Sequence, residues 1–177
     1  MTEENIRPAE PGDLPALLEI YNHYVLNTAI TFDIEPRTLV QRQAWFDAFA
    51  GSGRYRCFVA VKNGRPIGWA SSHRYNERAA YDTTISATIY LAPEVCGQGV
   101  GKTLYAALFE ALAGEDIHRV FAGVTLPNQP SVALHRSFGF EPIGIYPEVG
   151  RKFGRFWDVA AFIKPFGADG LPAESSN

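Results

Sequence analysis

Apolar residues recur at every second position in one stretch and at every third or fourth in the next. That change of period divides the chain into elements. Ile85, Ala87, Ile89 and Leu91 alternate with Thr84, Ser86, Thr88 and Tyr90, which predicts a strand with one apolar and one polar face. Pro93 stops it, because proline offers the ladder no donor. Val100, Leu104, Ala107, Leu108, Ala111 and Leu112 follow at helical spacing, and Gly114 suits the left-handed residue past the helix end. Upstream, residues 5–9 predict a short strand. Asp13 and Pro15 then open a helix with the stripe Leu14, Leu17, Leu18, Tyr21 and Val25. Thr38 and Gln41 form a capping box for a second helix, which carries Trp45, Phe46 and Phe49. Residues 56–61 and 66–75 predict a hairpin turning at Asn63-Gly64. Downstream, residues 118–125 read as a buried strand and 131–138 as a short helix closed by Gly139. Residues 143–149 and 156–163 predict two final strands with Gly150 and Gly154 between them. The expected organisation is one domain over residues 1–164 and a frayed tail over 165–177.

The predicted order β-α-α-β-β-β-α-β-α-β-β is mixed, with several hairpin-linked strands and a glycine loop in mid-chain. That loop, Gly97-Gln98-Gly99-Val100-Gly101-Lys102, leads from the central strand into a helix N-terminus. Backbone amides there can hold a phosphate or pyrophosphate. Gly101-Lys102-Thr103 matches the end of a nucleotide-triphosphate loop, but Cys96 stands where its first glycine belongs. Gly97 and Gly99 match a dinucleotide fingerprint, but Lys102 replaces its last glycine. A plain helix entry with spare glycines is also open. The element order counts against both nucleotide readings, which expect alternating βα units from the start.

Composition narrows the partners. The 177 residues are 46% apolar and carry a net charge of -3, which suits a folded domain with a sizeable core. No basic tract points to nucleic acid, and no apolar run reaches membrane length. Two cysteines without paired spacing read as free thiols of a reducing cytoplasm. Four scattered histidines make a metal cluster unexpected.

Several motifs together carry a family resemblance. They are Tyr21-Asn22-His23-Tyr24, Glu35-Pro36, Ala80-Tyr81-Asp82, Thr88-Ile89-Tyr90-Leu91 and the glycine loop. Leu126-Pro127-Asn128-Gln129-Pro130-Ser131, Leu134-His135-Arg136-Ser137-Phe138-Gly139-Phe140 and the late Val149-Gly150-Arg151-Lys152-Phe153-Gly154-Arg155 complete the set. Over roughly residues 6–164 the chain resembles the GNAT superfamily of N-acetyltransferases, and within it the phosphinothricin and methionine sulfoximine acetyltransferase branch. Gly99 and Gly101 fit that family's pyrophosphate loop, and Cys96 departs from its first position. The resemblance implies an α+β (α/β) fold with a mixed, mostly antiparallel sheet. That sheet is splayed at the central strand and has helices on both faces. It also implies acetyl-CoA as cosubstrate, a small amino-acid-like amine as acceptor, and a homodimer.

By position, the resemblance gives Ile89, Tyr90 and Leu91 to the pantetheine arm. Gly97, Gln98, Gly99, Val100, Gly101 and Lys102 go to the pyrophosphate, and Asn128 to the cofactor. A strand edge of this kind can pair with an extended amide-bearing arm. The acceptor ammonium must lose a proton before it attacks. The branch's usual glutamate falls at Ser86, which has no useful basicity. His135 is therefore the leading group for proton transfer, with Asp82 and Glu77 in reserve. Phe32, Tyr75, Glu77, Arg78 and Tyr81 are the expected acceptor-side residues, with Arg78 gripping a carboxylate. The competing function is a non-catalytic acyl-CoA-binding module.

Overall fold

A computed structural model of the chain describes residues 4–167. Seven strands form one open sheet in the order β1-β2-β3-β4-β5-β7-β6. They are β1 Glu4–Pro8, β2 Cys57–Lys62, β3 Arg65–Arg74, β4 Thr84–Leu91, β5 Arg119–Thr125, β6 Glu141–Lys152 and β7 Arg155–Pro165. The helices are α1 Leu14–Asn27, α2 Leu39–Phe46, α3 Val100–Leu112 and α4 Gln129–Ser137. All neighbouring strands are antiparallel except β4 and β5. The fold is α+β and follows the expected order of elements.

Local chemistry explains most boundaries. The Thr38 side chain accepts from the Gln41 N–H while the Gln41 side chain reaches back to the Thr38 backbone, so the capping box forms as written. Asn63 (φ 52°) and Gly64 (φ 78°) make the tight β2–β3 turn. The β6–β7 turn differs from expectation. Phe153 and Gly154 form it, with φ of 53° and 74°, and Gly150 lies inside β6. The ring of Phe32 covers Gly150 so closely that a Cβ there would overlap it. Glycine at 150 is thus a packing requirement of the loop above it. The expected tail start is also shifted. β7 runs to Pro165, and Phe166 packs on the core with its N–H donating to the His118 carbonyl. The rest of the expected tail, residues 168–177, lies outside the described residues.

The core sits mainly between the sheet and α3. Leu104, Leu108 and Leu112 are fully buried there, each worth about 1.5–3 kcal/mol of transfer free energy. On the opposite face, Tyr21 of α1 and Trp45 of α2 meet Trp69 of β3, which stacks on Tyr90 of β4. Successive residues of β4 therefore serve opposite layers: Tyr90 faces α1 and α2, while Ile89 approaches Gly101 of α3.

One topological feature positions everything that follows. β4 and β5 pair only at Thr84–Arg119, Ile85–Val120 and Ser86–Phe121. Beyond Ser86 the two strands part, and the β5 side of β4 opens from Ala87 to Leu91.

Candidate active site

The gap between the diverging strands is a cleft of about 100 Å³. Ala87, Thr88, Ile89 and Tyr90 form one wall, Gly123, Val124 and Thr125 the other, and Tyr105, Asn128, Ser131 and His135 close it. At the far end of β4, Tyr24 donates its hydroxyl proton to the Leu91 carbonyl at 2.6 Å, pinning the strand where the glycine loop begins. Gly97 and Gly99 take φ of 79° and 91°. These left-handed angles turn the chain into α3 without a side-chain cap on its first amides. The orphan amides of a helix start and its positive end remain available to an anion. Gly101 has another reason to lack a side chain: a Cβ there would press on Leu134 at 3.3 Å and contact Ile89 and Leu91. A strand edge leading to an uncapped helix start fits an extended amide-bearing arm that ends in a pyrophosphate.

His135 is buried on α4 with both ring nitrogens engaged. Nδ1 lies 2.7 Å from the Ser131 carbonyl oxygen and Nε2 lies 3.0 Å from the Tyr105 hydroxyl. A carbonyl accepts only, so Nδ1 carries the proton and Nε2 accepts from Tyr105. Burial pushes the His135 ring below the ordinary histidine range, although its bond to Ser131 works the other way. Burial likewise raises Tyr105, so its hydroxyl stays protonated. Asn128 caps α4 by accepting from the Ser131 N–H at 3.3 Å and also lines the cleft.

A second, larger cavity of about 450 Å³ lies on the other face of β4, beneath α1 and α2, and shares Thr88 and Tyr90 with the cleft. Its floor is Trp69, Ser71 and His73 of β3 beside Thr88 and Tyr90 of β4. Its mouth carries Asp33, bonded to Arg37 at 2.6 and 2.7 Å and to the Tyr21 hydroxyl at 2.7 Å. Arg37 draws the Asp33 carboxyl below its ordinary range despite partial burial. In its roof, Arg42 is only 5% exposed, with its guanidinium 3.4 Å from the Trp45 ring centre and 4.5 Å from that of Trp69. Among the described residues, Arg42 Nε and Nη2, Trp69 Nε1, Ser71 Oγ and His73 Nδ1 are buried without hydrogen-bond partners, and all five atoms belong to residues lining this cavity.

The residues expected from the sequence divide cleanly. Ile89, Tyr90, Asn128 and His135 line the cleft, while Leu91 and residues 97–102 continue from its end. Ser86 is the last β4 residue paired with β5, and it lies opposite His73 of β3. Phe32, Tyr75, Glu77, Arg78 and Tyr81 line neither cavity. Tyr75 packs on Tyr81 and Phe121, Glu77 and Arg78 are exposed, and Phe32 covers Gly150. Arg42, Trp69, Ser71 and His73 were not expected. A signal existed for Arg42, which shares a helical stripe with Trp45 and Phe49 at i, i+3 and i+7. A charge on that stripe is buried with the aromatics.

Among the described residues no group of three or more His, Cys, Asp or Glu gathers to hold a metal, and no helix is long and apolar enough to cross a membrane.

Residues 17–140 match the model of the acetyltransferase (GNAT) family. The chain is 47% identical over 165 residues to a phosphinothricin N-acetyltransferase of Streptomyces coelicolor, covering 92% of this chain and 96% of that protein. It is 36% identical to an L-methionine sulfoximine/L-methionine sulfone acetyltransferase of Pseudomonas aeruginosa, covering 88% of this chain and 90% of that one. A phosphinothricin acetyltransferase of Sinorhizobium meliloti, solved in complex with AcCoA, superposes with a TM-score of 0.86. It is 32% identical, over 97% of this chain and 94% of that one.

Proposed function

The chain belongs to the GNAT family of acetyltransferases, and on that footing we propose that it transfers the acetyl group of acetyl-CoA to the primary amine of a small amino-acid-like acceptor. The observation that carries this reading is the open β4 edge running into an uncapped α3, with a separate cavity on the other face of the same strand, walled by aromatic rings and a few polar groups. Phosphinothricin, methionine sulfoximine and methionine sulfone are the acceptors of choice, in keeping with the names of the relatives.

Bound acetyl-CoA supplies an activated acyl group as a thioester. The residues of the chain do the rest. Ile89, Tyr90 and Leu91 present backbone groups to the pantetheine arm. Within residues 97–102 the Gly97, Gly99, Val100 and Gly101 amides are offered to the pyrophosphate, those of Gln98 and Lys102 being held by the Val95 and Gly99 carbonyls, and Asn128 meets the cofactor from α4. His135 and Tyr105 stand on the leaving-group side of the cleft, where a proton returns to sulfur. For the acid group of the acceptor two guanidinium groups compete: exposed Arg78, beside Phe32, Tyr75, Glu77 and Tyr81 in the expected acceptor set, and buried Arg42. The partnerless Arg42 Nε and Nη2 favour the buried one. The protein acts in the cytoplasm, consistent with free Cys57 and Cys96. It pairs as a homodimer, for which the exposed Ile143, Ile145, Tyr146 and Val149 of β6 supply an apolar face.

A thiol-release assay with acetyl-CoA and the three acceptors tests the reading. Acceptor-dependent, saturable release is expected. Ser86 and Cys96 favour non-catalytic acyl-CoA binding, and that alternative predicts protection from melting with no thiol released.

A further inference from the structure

An acceptor amine is protonated at neutral pH and must give up a proton before it can attack a carbonyl. The place of that event follows from the strand geometry. The glycine loop lies at the C-terminal end of β4, and the cleft runs back along the strand until Ser86 and Phe121 close it. An arm anchored at the loop and laid along β4 brings its reactive end toward that closure, about 10–17 Å away at strand rise. A base must face this end from the acceptor cavity.

Ser86 stands at the closure and cannot serve. The ionisable groups that face the cavity are Tyr21, Asp33, Arg37, Arg42, His73 and Tyr90. Asp33 at the mouth is held by Arg37 and Tyr21. Arg37 and Arg42 are cations with no lone pair to offer. Tyr21 of α1 and Tyr90 of β4 are both raised by burial and stay protonated. His135, on the cleft side, has both nitrogens engaged. The remaining group is His73. It pairs in register with Ser86, so its side chain rises from the same face beside the closure. It lines the cavity, and its buried Nδ1 has no hydrogen-bond partner among the described residues. Burial alone lowers its basicity, so the ring is neutral at neutral pH.

We propose that His73 is the general base for the acceptor amine in this chain, working from β3 across from Ser86. The inference rests on the acetyl-transfer reading above. An ammonium N–H bond breaks and its proton passes to the imidazole, directly or through one water. The freed lone pair forms the bond to the acetyl carbon while the C–S bond breaks. The second nitrogen proton leaves as the amide forms and returns to the sulfur, and His73 discharges its own proton to solvent.

The test measures kcat/KM against pH for wild type, His73→Gln, and His73→Gln with Ser86→Glu, using thiol release. Protection from melting by acetyl-CoA checks that each variant keeps its fold and cofactor site. Wild type should lose rate on acidification through a single group at or below the ordinary histidine value of about 6.5. His73→Gln should fall by about 100-fold or more and lose that acid limb. A carboxylate at 86 should restore part of the rate with a limb at lower pH. Wild-type rate in His73→Gln overturns the assignment, as does a slower variant that keeps the same acid limb. A wild-type protein that releases no thiol with any acceptor defeats the acetyl-transfer reading itself, a different outcome from either.

Discussion

Replacing Arg42 with methionine probes the most unusual feature of the larger cavity, a buried cation that lacks hydrogen-bond partners at Nε and Nη2 among the described residues. Burial pushes this guanidinium down to about 10, with Cys57, Tyr21 and Tyr90 working weakly the other way. Holding the charge at neutral pH then costs about 3 kcal/mol. The rings of Trp45, Trp69 and Tyr21 return about 1–2 kcal/mol by cation–π attraction. Methionine keeps much of the volume and adapts to aromatic neighbours. The variant should therefore be more stable near pH 7 by about 1–2 kcal/mol, raising Tm by about 2–8 °C for a chain of this size. The folded-state value lies below that of the unfolded chain, so the penalty is present throughout neutral pH and shrinks as pH rises through about 10. The advantage of methionine should shrink with it. Urea unfolding followed by far-ultraviolet circular dichroism at pH 7 and pH 10.5 measures both, and avoids the altered tryptophan quenching. The same variant should raise KM for acceptors bearing an acid group. A loss of stability above about 1 kcal/mol, or an advantage that does not change with pH, would refute the reasoning.

Three further outcomes follow from the geometry. Asp13 is pushed up by burial, but two bonds from Arg7 at 2.8 Å and one from the Glu10 N–H more than offset this and hold it below the ordinary carboxylate range. Its contribution is present above the unfolded-state value of about 4 and is lost as pH falls through the lower folded value. Asp13→Asn should thus destabilise at pH 7, and the difference should close in chemical-denaturation series as pH falls below the ordinary carboxylate range. Gly99→Ala forces a side chain at φ 91° and should cost about 1–2 kcal/mol, with weaker acetyl-CoA binding by calorimetry. Leu108→Ala in the fully buried α3 core should cost about 2–5 kcal/mol in urea unfolding without altering KM for either substrate.

The strand, glycine loop and helix proposed for the cofactor were readable from the chain because they are local. Strand period, proline stop, glycine turn and helical stripe run continuously from residue 84 to 112, and each obeys short-range rules. The same holds for the Thr38 capping box and the Asn63-Gly64 hairpin. The larger cavity was not readable, because it is assembled from α1, the loop after it, α2, β3 and β4. Trp69, Ser71 and His73 look like one face of an ordinary buried strand until the register with Ser86 is known. Of the expected acceptor residues Phe32, Tyr75, Glu77, Arg78 and Tyr81, Arg78 came from likeness of sequence position and Phe32 from its loop, and burial and facing are set by packing that position does not encode. His135 shows the same limit. Its place beside the cleft was foreseen, but its commitment to Ser131 and Tyr105 depends on how α4 docks against α3.

Amide hydrogen exchange with and without acetyl-CoA locates the cofactor on the chain. Exchange should slow in β4 at residues 87–91 and at residues 97–103, with β6 unchanged. Protection confined to other segments, or none at saturating acetyl-CoA, would contradict that placement.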